Sequence, residues 1–157
     1  MQRRSFMRAL ALGAITAAAL APVAGALAQA KPLAIDVYKS PLCGCCEDWV
    51  KHLRGNGFHV TVHDVEDTGV YRQGFGMPDR FGSCHTGYIG GYAIEGHVPA
   101  ADIRKLLAAR PKAVGLTVPG MPAGSPGMEQ GPRKDPFDVL LVKAGGAASV
   151  FASYNKG

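Results

Sequence analysis

Charge is scarce in this 157-residue chain: charged residues make up 18 % of it, and no basic run with interleaved aromatics occurs. Nucleic acid is therefore a poor candidate partner. The basic balance argues the same way. Three of the 17 basic residues and none of the 12 acidic ones lie in residues 1–30, leaving 14 against 12 and a net charge of +2. Internal repeats are absent. Cysteine is sparse, with four in all and none before residue 43.

The acid-free start explains itself. Arg3-Arg4-Ser5-Phe6-Met7-Arg8 precedes an Ala-rich apolar run from Ala9 to Ala28, which ends in two overlapping small-x-small sites, Ala26-Leu27-Ala28 and Ala28-Gln29-Ala30. A basic start, an apolar centre and a small-residue cleavage site describe a secretory signal, here cleaved after Ala28 or Ala30. The paired arginines give it a twin-arginine look, with a plain Sec signal and an uncleaved anchor as the competing readings. The expected mature protein is periplasmic, has no membrane segment, and forms one domain over residues 31–157. Its 127 to 129 residues bury enough core to stand without disulfides, so the cysteines are free for chemistry.

Leu33-Ala34-Ile35-Asp36-Val37-Tyr38 reads as a strand. Glu47 to Arg54 reads as a helix, with Trp49, Val50 and Leu53 at helical spacing. Phe58 to His63 alternates as a second strand. A loop and broken helix follow around Val70-Tyr71-Arg72, then a hairpin through Gly90-Gly91 and a helix after Pro99. Residues 115–136 read as a Gly/Pro loop that is neither helix nor strand, and Phe137–Val142 with Ser149–Tyr154 as a strand pair. This order predicts an α/β, thioredoxin-like mixed sheet with flanking helices and an extra C-terminal β-hairpin.

Cys43 and Cys46 form a Cys-x-x-Cys pair at a helix N-terminus, where unpaired N–H groups and the helix dipole favour thiolate. A thiolate serves either disulfide exchange or a soft metal. Cys45 inside the pair invites scrambled disulfides, which counts against an ordinary dithiol oxidoreductase. Adjacent Cys45 and Cys46 suit sulfurs that bridge more than one Cu(I) ion better than a mononuclear tetrahedral zinc site. One structural disulfide with spare thiols is the plain alternative.

Cys84-His85 is the second element. The segment Ser83 to Gly90 is similar to the one that carries a cis-proline in thioredoxin-like domains, with His85 in the proline's place, so Cys84 and His85 are expected to face Cys43 and Cys46. The plain alternatives are a strand-end histidine bonded to backbone for His85 and a disulfide for Cys84. His63 and His97 are weaker metal candidates, as are Met121 and Met128, whose alternative is packing. His52 and His59 read as surface.

These motifs together are similar to the CopG family of exported copper-resistance-linked proteins. The similarity runs through Tyr38 to Cys46, Trp49, His63-Asp64-Val65, Ser83 to Thr86, Gly90-Gly91-Tyr92 and Glu95 to Pro99. It continues through Gly115-Leu116, Val118 to Pro122, Ser125 to Glu129 and Asp138 to Leu141. The resemblance implies a thioredoxin-like fold, copper binding through Cys-Gly-Cys-Cys and Cys-His, and copper handling in the periplasm. Cu(I) is the expected metal and zinc the lesser choice. Expected partners are copper ions and other periplasmic copper-handling or electron-transfer proteins. The enzyme class to consider is a copper oxidoreductase, with a thiol-disulfide oxidoreductase using Cys43 and Cys46 as the alternative function.

Overall fold

The structure, a computed structural model, describes residues 32–157. The signal-peptide reading falls outside them. Strand β1 (Leu33–Lys39) leads into helix α1 (Gly44–Gly55), strand β2 (Phe58–Asp64) and a short helix α2 (Thr68–Gly74). The hairpin β3 (His85–Ile89) and β4 (Tyr92–Gly96) follows, then α3 (Ala100–Ala109), β5 (Gly115–Val118), β6 (Phe137–Val142) and β7 (Ala148–Tyr154). The strands form one mixed sheet in the order β2-β1-β3-β4-β5-β6-β7. The β1–β2 and β4–β5 pairs are parallel, and the other neighbours are antiparallel. The α/β class, the mixed sheet with helices and the C-terminal hairpin expected from the sequence are all present.

Helix α1 is held to the sheet by the stripe that its spacing announces. Cys46, Trp49, Val50 and Leu53 are all buried. Burying side chains of this size stabilises by about 1.5–3 kcal/mol each, and Trp49 also donates its indole N–H to the Val98 carbonyl at 2.9 Å. Gly87 in β3 makes room for it: a Cβ there would stand 3.0 Å from Ile35 Cδ1 and 3.4 Å from the Trp49 ring. The core therefore sits between α1, α3 and the sheet, with Ile35, Val37, Ile94, Val98, Ile103, Leu106 and Leu116 in one cluster.

Two sequence expectations need correction. Residues 115–118 are a strand, not loop. All four are buried, flanked by β4 and β6, and a Cβ on Gly115 would lie 1.8 Å from the Ala93 carbonyl oxygen. A four-residue strand carries too little periodicity to be seen among Gly and Pro, and burial between two strands is what makes it one. His52 is half-buried rather than superficial. Its Nε2 accepts the Ala100 N–H at 3.1 Å, supplying to the first turn of α3 the cap that Pro99 has no side-chain group to provide. Burial pushes the His52 imidazole below its ordinary range. His59 is exposed, as expected. Among the described residues, no helix is long and apolar enough to cross a membrane.

Candidate metal centre

The cysteines gather where α1 begins. Cys43 stands at the N-cap of α1 with φ −87°, Cys45 and Cys46 occupy its first turn, and Cys84 directly precedes β3. Because β1 and β3 are neighbours, with Lys39 opposite His85, the turn after β1 and the segment before β3 meet at one end of the sheet's strands. The four sulfurs lie within 4.8 Å of one another. Cys45 Sγ is 3.5 Å from Cys43 Sγ and 3.9 Å from Cys84 Sγ, and Cys46 Sγ is 3.7 Å from the Cys84 carbonyl oxygen. Cys43 and Cys46 are joined by a disulfide, and Cys45 and Cys84 are free thiols. Cys46 is buried and the other three are half-buried. Leu42, just before them, is 93 % exposed, so the site opens to solvent on that side.

Burial pushes the Cys84 thiol up to about 11, with the neighbouring Cys45 acting in the same direction. Cys84 therefore keeps its proton at neutral pH, and a metal bound here would have to displace it.

A second group of donors adjoins the first: Cys84, His85 and His97 also lie within 4.8 Å of one another. Both imidazoles are fully buried. The His85 ring packs 4.3 Å from the Trp49 ring and 5.0 Å from that of His97. Burial above all, then His97 and Lys39, pushes the His85 imidazole down to about 3. Burial likewise holds His97 below its ordinary range. Both rings are neutral at neutral pH, the form in which imidazole binds a metal.

The Cys84-His85 step is clamped from both sides by a residue that sequence reasoning missed. Glu95, fully buried on β4, accepts the Ser83 N–H at 2.6 Å and the Thr86 hydroxyl at 2.7 Å. The Arg72 guanidinium stands 3.4 Å away. Burial raises the Glu95 pKa, while its hydrogen bonds and Arg72 oppose that rise. The only sequence signal was its place in Glu95-Gly96-His97. Lys39, 1 % exposed, pairs with Glu47 on the first turn of α1 at 2.7 Å and with Asp64 at 2.9 Å, tying that turn to β1 and β2.

Of the weaker candidates, His97 joins the site. His63 does not: its Nε2 is 2.8 Å from Asp36 Oδ1 and its ring stacks on Tyr38. Met121 is 54 % exposed. Met128 is half-buried in a turn seated on α1 by Gly127, whose Cβ position lies 2.6 Å from the Trp49 amide nitrogen.

Sulfur and imidazole donors converging at the mouth of a helix, with a redox-competent pair among them, define a small α/β protein with a candidate site for a soft metal. The comparisons with known proteins narrow that class. The family described as "Protein of unknown function, DUF411" matches residues 81–128. Two solved structures, "Copper resistance protein copG- Form 2" and "Copper resistance protein copG- Form 1", are each 54 % identical with a TM-score of 0.75. Each alignment covers 79 % of this chain, and 99 % and 98 % of the respective relative. No curated protein matches the chain. The chain belongs to the CopG family, and its cysteine-rich group fits copper binding.

Proposed function

We propose that the protein is an exported, periplasmic copper-binding protein of thioredoxin-like topology that holds Cu(I) on Cys43, Cys45, Cys46 and Cys84, with His85 beside them. It would protect the cell by sequestering copper and by exchanging electrons with it. The observation that carries this reading is the convergence of four sulfurs within 4.8 Å, two of which form a disulfide. The β2-β1-β3-β4 order, with a cysteine pair at the start of α1 just after β1, supports the thioredoxin-like assignment.

The site's chemistry balances with copper as substrate. Two Cu(II) ions each take one electron from the Cys43/Cys46 dithiol. The two sulfurs join, two protons leave, and the two Cu(I) ions formed pass to the Cys45 and Cys84 thiolates; all four sulfurs hold Cu(I) only while Cys43 and Cys46 are reduced. Soft Cu(I) accepts sulfur and low coordination numbers, which suits sulfurs as close as Cys45 and Cys84. Zinc, which prefers four terminal ligands per ion, fits the Cys45-Cys46 adjacency less well.

Anaerobic titration of the reduced protein with Cu(II), following thiols and Cu(I) together, tests this. Loss of two thiols for two Cu(I) formed is expected, with more than one copper retained per chain and that excess lost in Cys45→Ser. A protein that stays metal-free with two disulfides, or that takes up a single zinc instead, overturns it. The disulfide itself favours a second reading, a thiol-disulfide oxidoreductase using Cys43 and Cys46. Insulin reduction that survives Cys84→Ser would select it.

A further inference from the structure

We propose that a cavity at the end of the sheet opposite the cysteines binds an amphipathic monoanion, a molecule with an apolar chain and a single carboxylate. The inference stands apart from the copper reading and shares none of its residues.

The cavity is made by the way three elements end. β1 and β3 are antiparallel, so the end of β1 and the start of β3 lie beside the cysteines. The start of β1 at Leu33 and the end of β3 at Ile89 lie at the other end. Helix α3 stops there too. Pro111 cannot continue it, and Tyr92 Oη donates to the Pro111 carbonyl at 2.8 Å, holding the departing chain against β4. What remains is a cavity of about 480 Å³, within the roughly 300–1,000 Å³ of small-molecule sites.

Its walls are Pro32, Leu33, Ile89 and Leu107. Leu107 lies close over the β3–β4 turn, where a Cβ on Gly90 would stand 2.8 Å from its Cδ2. Ile89 is buried in the main core, and Leu33 and Leu107 pack against it. The apolar lining is therefore formed before any ligand arrives, which spares the cost of ordering it. Arg110 is the one charged residue that lines the cavity, and no carboxylate lines it to pair with the guanidinium.

The backbone at Arg110 supplies a second observation. It has φ 46° and ψ 47°, the left-handed cap of α3, with its N–H on the Leu106 carbonyl at 2.9 Å. Glycine is the ordinary occupant of such a cap, and an L-residue there is strained. A residue before proline also favours extended backbone. Strain of this kind gathers at ligand clamps. Glycine would relieve it but would remove the cation. A guanidinium forks two N–H donors onto one carboxylate, which fixes the head of the ligand and lays its chain over Leu33, Ile89 and Leu107.

Decanoate, kept below micelle-forming concentration, is the probe, and the metal-free exported protein is the sample. Calorimetric titration should give one decanoate per chain, with NMR shifts confined to the methyls of Leu33, Ile89 and Leu107. Decanol and acetate carry the chain and the head separately, and each should bind at least about 10-fold more weakly. Arg110→Gly is the decisive variant, because it suits the cap and removes the charge together. It should unfold at a higher temperature and bind decanoate about 10- to 100-fold more weakly. A purely structural Arg110 would change the unfolding temperature and leave the affinity alone. Absence of decanoate binding, decanol or acetate matching decanoate, or unchanged affinity in Arg110→Gly overturns the site. So do methyl shifts elsewhere, or shifts that appear on concentrating the protein alone, which would mark a second copy as the occupant.

Discussion

Substituting Gly127 by alanine is expected to lift the 122–128 turn off helix α1 and to loosen His97 with it. Gly127 has φ +85°, a region that costs an L-residue about 1–2 kcal/mol. A Cβ there would lie 2.6 Å from the Trp49 amide nitrogen, 3.0 Å from the Cys45 carbonyl oxygen and 3.1 Å from the Asp48 carbonyl carbon. All three are helix backbone, so no flexible side chain can swing aside. Overpacking of this kind adds about 1–3 kcal/mol, for a total loss of about 2–5 kcal/mol. Retraction of the turn would relieve the clash but carry away Pro126, whose carbonyl accepts the His97 Nδ1–H at 2.9 Å. Urea unfolding of Gly127→Ala measures the loss, and Gly131→Ala is the control. Gly131 has φ +87° with nothing within 4 Å of its Cβ position, so it should show the conformational part alone. Equal losses in the two variants would refute the seating argument. So would a Gly127→Ala protein with unaltered stability and metal uptake.

Two further outcomes are expected. Glu95→Gln leaves one acceptor oxygen where two donors, Ser83 N–H and Thr86 O–H, now point. It should cost about 1–3 kcal/mol in urea unfolding and speed thiol labelling at Cys84, and a change in neither would remove Glu95 as the clamp. The metal-free protein should lose stability as pH falls below about 6.5, the ordinary histidine value. His85, His97 and His52 have folded pKa values below their unfolded ones, so the unfolded chain binds more protons in that range and acid favours it. Each contributes at most about 1.4 kcal/mol per pH unit, and His85 continues until about pH 3, while the raised Glu95 opposes the trend. Urea midpoints at pH 7, 6 and 5 measure it, and midpoints that stay level or rise toward acid would contradict the burial of these rings.

Local pattern was enough for much of this protein. Apolar spacing placed β1, α1 and β2. The Gly90-Gly91 turn located the β3–β4 hairpin, and the run of Cys43, Cys45 and Cys46 marked the mouth of α1 as the place for chemistry. Each of these depends on residues within a few positions of one another. What stayed hidden depends on residues brought together across the sheet. Gly115–Val118 is a strand because β4 and β6 flank it. His52 looks superficial until the N-terminus of α3 arrives above it. His97, only a weaker candidate by sequence, becomes a partner of Cys84 because β3 and β4 pair in register, Thr86 opposite Glu95, and because Pro126 of a distant loop takes its outer N–H. Glu95 clamps Ser83 and Thr86 for the same reason. Sequence spacing determines which donors this chain owns, whereas tertiary packing decides which lone pairs face one another. Burial removes the water that would otherwise satisfy them, and only the folded sheet can bury them together.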